Sequence, residues 1–153
     1  MLGLMQDHPL LISSIFEHAV GNYGKQEIVS NTVEGGIHRY NYSSWGERTK
    51  KLANALKSLN LNQGDKVGTL AWNGYRHLEI YYATSCSGLI CHTLNPRLHP
   101  DQVSYIVNHA EDKVLCVDLN ILPLIEKASE NFKTVEALVI MTDEKNMIKP
   151  NIK

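Results

Sequence analysis

Gly64-Asp-Lys-Val-Gly-Thr-Leu-Ala-Trp-Asn73 holds a turn, a strand and a helix start in one short stretch. Asn62-Gln-Gly-Asp65 is turn chemistry, since asparagine, glycine and aspartate accept backbone angles that other residues avoid. Lys66–Trp72 is brief and largely apolar, which predicts a buried strand. Asn73 has the side chain to cap a helix. Behind it Leu78, Tyr81, Tyr82 and Cys86 form a helical stripe that stops near Gly88.

Downstream the same alternation repeats. Leu89–Leu94 reads as a second strand, and Pro100 suits the first turn of a helix. Val103, Ile106, Val107 and Ala110 follow the i, i+3, i+4, i+7 template. Lys113–Val117 predicts a third strand, Leu119–Asn131 a third helix and Val135–Met141 a fourth strand. Strands that alternate with helices of this length predict an α/β fold, a mostly parallel sheet joined by right-handed crossovers. Near-continuous apolar strands require helices on both faces. The segment after Met141 is polar and without period.

Upstream, Leu10–Val20 predicts a helix ending at Gly21-Asn22. Ile28–Val33 and Ile37–Tyr42 flank Glu34-Gly-Gly36 and predict an N-terminal β-hairpin, because glycine supplies the positive φ of a tight turn. Ser44 and Glu47 have capping-box spacing. The following helix carries Trp45, Leu52, Leu56 and Leu59 on one side, with Lys50, Lys51 and Lys57 elsewhere.

The 153 residues suffice for one domain with its own core. Fifteen basic side chains stand against 16 acidic ones, a net charge of −1, which excludes the basic field that nucleic acid requires. No run is long and apolar enough to span a bilayer. The N-terminus lacks the basic start of a secretory signal, and Leu2 excludes an N-myristoyl site. Cys86, Cys91 and Cys116 form no CxxC pair and sit in apolar company, which fits reduced thiols in the cytoplasm. Peripheral contact with a membrane stays open.

Phosphate chemistry leaves few traces. Neither GxxxxGK[ST] nor GxGxxG occurs, and no serine lies in a G-x-S-x-G elbow. His77 and Glu79 stand two apart on a helix and so do not face each other. His92, His99 and His109 lack metal-ligand spacing. No residue is selected as catalytic, cofactor-binding or metal-binding. The polar segment His92-Thr-Leu-Asn95-Pro-Arg97-Leu-His99 follows a strand, so it emerges at the carboxyl end of the sheet, where open α/β folds place ligands. Asn95 and Arg97 are candidates for a substrate channel or an interdomain surface. The structural alternative has Asn95-Pro96 shaping the turn and Arg97 anchoring it to a carboxylate. Tyr81 and Tyr82 could line an acyl pocket, but their spacing from Leu78 favours packing.

Taken together these segments resemble the N-terminal part of the acyl-adenylate-forming (AMP-binding) superfamily, in its fatty-acid–CoA ligase branch. Ser44, Gly64-Asp65 and Asn73 carry the general likeness. Arg76-His-Leu-Glu79 with Tyr82-Ala83, His92–Arg97 and Tyr105-Ile-Val-Asn-His-Ala-Glu-Asp112 carry the narrower one. The sequence departs from it at Ser85-Cys-Ser-Gly88 and at His99, where a serine would cap the next helix better. The resemblance implies an N-terminal part of the large domain over residues 1–141, with 142–153 as a polar tail or truncated connection. It implies a medium- or long-chain fatty acid as substrate, and ATP, Mg²⁺ and CoA as cofactors of the complete enzyme. A carboxylate is first activated as an acyl-adenylate and then passed to the thiol of CoA. The Ser/Thr/Gly-rich phosphate loop, the adenylate-holding block and the catalytic lysine of that family have no counterpart here. The chain alone is therefore expected to be inactive and to bind none of these cofactors strongly. A homodimer or a complementing C-terminal portion is the expected partner. Two other readings share the scaffold: another adenylate-forming ligase (aryl-CoA or luciferase-like), and a non-catalytic α/β interaction module.

Overall fold

The computed structural model describes residues 3–4 and 7–152. Four strands form a parallel sheet in the order β4-β3-β5-β6: β3 (Lys66–Leu70), β4 (Ile90–Thr93), β5 (Asp112–Asp118) and β6 (Ala137–Met141). Before them, β1 (Glu27–Asn31) and β2 (Ile37–Asn41) pair antiparallel as a separate hairpin. Gly35 and Gly36 turn it with φ of 92° and 102°, positive values that glycine adopts without the clash of a Cβ.

Helices cover both faces of the sheet. On one face Leu70, Leu94, Leu115 and Val117 meet Val103 and Val107 of α4 (Pro100–Ala110) and Ile125 and Ala128 of α5 (Leu122–Ala128). On the other, Val67, Val114, Cys116 and Met141 meet Ile80 of α3 (Tyr75–Ser85) and Leu52 of α2 (Tyr42–Lys57). Central β3 and β5 are buried as expected. The edge strands are less so, and Ile90 on β4 is exposed.

Outside this layer, α1 (Ile12–Tyr23) sets Phe16 edge-on to Trp45, and Tyr82 packs against both rings. Tyr82 is thus a packing residue. Tyr81 is 40% exposed and stacks on His77.

Several expected boundaries move, each for a local reason. Helix α1 continues through Gly21-Asn22 to Tyr23, and the Asn22 side-chain amide folds back to donate from Nδ2 to the His18 carbonyl. Helix α2 begins ahead of Ser44: Asn41 is its cap, and its Oδ1 accepts from the Ser44 amide at 2.9 Å. The cap of α3 is Gly74 and not Asn73, with no side-chain bond. His99 proves a competent cap. Its Nδ1 accepts from the Asp101 amide, and its own amide donates to Gln102 Oε1, a capping box in which imidazole replaces the usual hydroxyl. The expected helix over Leu119–Asn131 is α5 flanked by single 3₁₀ turns, with Pro123 in its first turn. The segment after β6 is also held: the Asn151 amide donates to Glu126 Oε1, and Ile152 packs against the α4/α5 core.

Candidate functional site at the carboxyl end of the sheet

The chain crosses from β3 to β4 on one side and then returns to lay β5 on the other side of β3. In a parallel sheet this reversal opens a crevice at the carboxyl ends of β3 and β5. Here the crevice is stapled. Trp72, just past β3, donates its amide to Asp118 Oδ2 at the end of β5, at 2.7 Å. Burial pushes the Asp118 carboxyl up, and the Trp72 amide and nearby His77 pull it back in part.

The loop that carries Asn95 and Arg97 stands beside Trp72. Leu94 still donates to the Thr69 carbonyl, and beyond it Asn95 turns the chain by accepting the Arg97 amide on Oδ1 at 3.0 Å. The turn-shaping role of Asn95 is thus present in the structure. Arg97 finds no carboxylate among the described residues. Its guanidinium lies 5.6 Å from the centroid of the half-exposed Trp72 ring, a cation–π contact. Aspartate or glutamate was the wrong partner to expect, because the acids at this edge are engaged elsewhere.

That engagement is a network the sequence did not reveal. Arg76, in the first turn of α3, donates to Glu34 Oε1 and Oε2 at 2.9 and 3.1 Å and to Asp143 Oδ1 at 2.9 Å. The Thr142 hydroxyl donates to Glu34 Oε1 at 2.7 Å. Burial alone would raise the Glu34 carboxyl, but Thr142 and Arg76 together hold it below its ordinary value. The hairpin loop, α3 and the exit of β6 are thereby tied at one point. Glu34 reads in the sequence as a turn residue beside two glycines, and nothing local marks it as an ion-pair partner for Arg76.

Beneath this edge His77 is buried between the Thr69 hydroxyl, 2.9 Å from Nε2, and the Trp72 carbonyl, 3.3 Å from Nδ1. Burial depresses its pKa, and the carbonyl and Asp118 oppose this weakly. As expected from their spacing, Glu79 points elsewhere: it accepts from Arg48 Nε at 2.6 Å. Between the hairpin and α3, a recess of ≈ 250 Å³ is lined by Ser30, Asn73, Gly74, His77, Leu78 and Tyr81.

Among the described residues no three His, Cys, Asp or Glu side chains converge to hold a metal ion. The positive-φ glycines lie in the hairpin turn and at isolated loop positions, not in a backbone cradle before a helix. Burial pushes the Cys116 thiol up to about 12 and raises Cys86 and Cys91 as well, which disfavours their thiolate forms.

The comparisons agree with the architecture. A family model described as AMP-binding enzyme matches residues 16–152. The chain is 46% identical over 141 residues to a 3-methylmercaptopropionyl-CoA ligase of Ruegeria lacuscaerulensis. It is 44% identical over 144 residues to a medium-chain-fatty-acid–CoA ligase of Ectopseudomonas oleovorans, and 43% over 141 to a long-chain-fatty-acid–CoA ligase of Thermus thermophilus. Each alignment covers 92% of this chain and 26% of the relative, so the chain spans about a quarter of the length of these curated relatives. Among solved structures, the fold matches the anthranilate CoA ligase AuaEII in complex with anthranoyl-AMP, with TM-score 0.77, 24% identity, and 90% and 27% of the two chains covered. It also matches a long-chain-fatty-acid-CoA ligase from Archaeoglobus fulgidus with TM-score 0.77, 19% identity, and 95% and 30% covered. A parallel four-stranded sheet behind a β-hairpin, matched in sequence over nearly its whole length, makes this chain a member of the AMP-binding enzyme family.

Proposed function

We propose that this chain forms the N-terminal portion of a fatty-acid–CoA ligase for medium- or long-chain acids, supplying scaffold and no catalytic group. The observation that carries the reading is the 43–46% identity, over nine tenths of the chain, to ligases of aliphatic acids. A trans-cinnamate:CoA ligase of Petunia hybrida reaches 31% over 70% of the chain, so aryl acids are the second reading. In the complete enzyme ATP and Mg²⁺ would convert the carboxylate to an acyl-adenylate, and CoA would take the acyl group. The groups that grip the nucleotide come from outside these residues. Residues 1–141 serve as the N-terminal part of the ligase domain and 142–153 as a connection. Asn95 and Arg97 face the substrate channel or the neighbouring domain. Their support is their place at the carboxyl edge and the exposed Arg97–Trp72 pair. The partner is a complementing C-terminal portion or a second copy. The site of action is the cytoplasm, with peripheral membrane contact permitted; no helix among the described residues is long and apolar enough to cross a membrane.

A chimera tests the proposal. This chain replaces the matching quarter of the Ectopseudomonas oleovorans ligase, and acid-dependent pyrophosphate release is measured across aliphatic and aryl acids. The expected result is release with aliphatic acids and strict dependence on CoA for thioester formation. A folded chimera that is inert on all of them, or active on aryl acids alone, sinks the fatty-acid reading.

A further inference from the structure

Of the 13 asparagines in the chain, Asn73 alone is followed by glycine. It is exposed, in the link from β3 to α3, and it lines the recess beside His77 and Tyr81. Among the described residues its side-chain amide makes no hydrogen bond, and neither does the backbone N–H of Gly74. The Gly74 carbonyl is engaged instead, accepting from the Leu78 amide as α3 begins. Gly74 is extended, with φ of −138° and ψ of 170°, and has no Cβ to crowd its nitrogen.

Other asparagines differ in the atoms that matter. Asn41 and Asn95 commit Oδ1 to backbone amides of their own turns, and Asn95 precedes Pro96, which has no N–H. Asn108 is held at both ends, its Nδ2 donating to the Asn131 carbonyl and its Oδ1 accepting from the Lys133 amide. Asn22 and Asn54 lie inside helices, where the next N–H belongs to the helical ladder.

We propose that Asn73–Gly74 is a self-modifying site, at which the chain forms a succinimide without an enzyme and acquires a carboxylate in the recess. The Gly74 amide nitrogen, losing its proton to solvent base, attacks Cγ of Asn73. A new C–N bond closes a cyclic imide, the Cγ–Nδ2 bond breaks, and Nδ2 takes up a proton and leaves as ammonia. Water then opens the ring at either carbonyl. One opening restores the main chain with aspartate at position 73; the other routes the main chain through the former side chain and gives isoaspartate. No oxidant or reductant takes part. Either product changes a recess whose other lining residues, Ser30, Gly74, His77, Leu78 and Tyr81, include no acid. Aspartate sets a negative charge at the N-terminus of α3, where the helix dipole favours it. Isoaspartate also adds a main-chain carbon between Trp72, whose amide is fastened to Asp118, and the turn of α3 that carries Arg76.

The chemistry depends on these two residues and water, so it can fail while the chimera releases pyrophosphate, and the reverse. The test is incubation of the folded 153-residue chain at pH 7.5 and 37 °C, then digestion and mass spectrometry of each asparagine-bearing peptide. Trypsin releases Asn73 in the segment Val67–Arg76, which holds no second asparagine. That peptide is expected to gain about one mass unit roughly tenfold faster than any other, as separate aspartyl and isoaspartyl forms. In Gly74→Ala its rate should fall by about tenfold. The added Cβ would meet nothing nearer than the Asn31 and Trp72 carbonyls at 4.0 Å, so that variant keeps the fold. Conversion at Asn73 no faster than at the other asparagines overturns the proposal. So does a Gly74→Ala chain that converts at the unmodified rate, or an aspartyl product without its isoaspartyl counterpart, the mark of direct side-chain hydrolysis. Should Gly74→Ala not fold, the ranking of peptides within the unmodified chain decides.

Discussion

The two faces of the sheet are covered by different means. Under α4 and α5 the contact is mostly aliphatic, and its polar features are the His92–Asp112 pair across β3 and Ser104, whose hydroxyl donates to the Ala128 carbonyl. Under α2 and α3 the buried set includes Thr49, Thr69, His77, Glu79 and Thr84, together with the Phe16–Trp45–Tyr82 aromatic cluster. Trp45 Nε1 and Thr49 Oγ1 are buried there without a hydrogen-bond partner, each a cost of about 1–3 kcal/mol. The polar face is the one from which the hairpin, Arg76 and the carboxyl-edge network are held.

The largest expected effect tests the aliphatic side. Leu115 is fully buried at the centre of that face. Leu115→Ala should cost about 3 kcal/mol, through lost burial and a cavity that flanking β-strands cannot collapse to fill. Urea denaturation should show the midpoint falling with its slope unchanged. A loss below about 1 kcal/mol would mean that the face is loosely packed, and the contrast with the other face would dissolve.

On the polar side Arg48→Ala is the matching experiment. It strands the nearly buried Glu79 carboxylate, which also has the Tyr40 ring beside it; burial first, and then Glu79, push the Tyr40 hydroxyl's pKa far up. Breaking a buried pair costs about 3–5 kcal/mol, but Arg48 is half exposed, so about 2 kcal/mol is the discounted expectation. Adding Glu79→Gln should restore most of the loss. If the two substitutions simply add, the pair is not coupled and Glu79 is stabilised by something else.

This contrast also explains what could be read from the sequence. Val103, Ile106, Val107 and Ala110 keep helical period, and the one buried polar residue beside them, Ser104, is small, so α4 and the face it covers were legible. So were the parallel sheet and the hairpin around Gly35-Gly36. Helix α3 was not legible in the same way. The stripe expected from Leu78, Tyr81, Tyr82 and Cys86 is only partly buried, whereas Tyr75, His77, Glu79 and Ile80 face inward. An apolar template cannot see a buried histidine or glutamate, because what permits its burial is a partner many residues away: Thr69 for His77, Arg48 for Glu79. The candidate site was legible only as a position in the fold. Asn95 and Arg97 do stand at the carboxyl edge, but Trp72 as the partner of Arg97 and Glu34 as the partner of Arg76 required the fold.

A smaller effect separates the faces by pH. Burial holds the His77 imidazole below its ordinary pKa, and His38 is depressed by burial and by Arg48. A depressed group contributes stability that is present above the unfolded value of about 6.5 and is lost as pH falls toward the folded value, because there the unfolded chain binds the extra proton. Denaturation at pH 7.5 and at pH 5.5 should show a weaker fold at the lower pH, with a shallower dependence in His77→Gln. Acid should therefore loosen the α3 side more than the face under α4 and α5. Exchange rates that rise together on both faces as pH falls would erase the distinction.

The smallest expected effect concerns two ion pairs of the hairpin, which look alike in a list of distances. Arg39 meets Glu27 at 2.8 Å and Arg76 meets Glu34 at 2.9 Å. The first pair is more than half exposed on both sides, so water competes for each charge and holding two long side chains costs entropy. The second is 15% and 9% exposed and shares its carboxylate with Thr142. Arg39→Ala should therefore change stability by no more than about 0.5 kcal/mol, and 0.5 M salt should remove even that. If Arg39→Ala proved as damaging as the loss of a buried pair, the hairpin would be held from its outer face, and the carboxyl-edge network would lose its place as the anchor between hairpin and sheet.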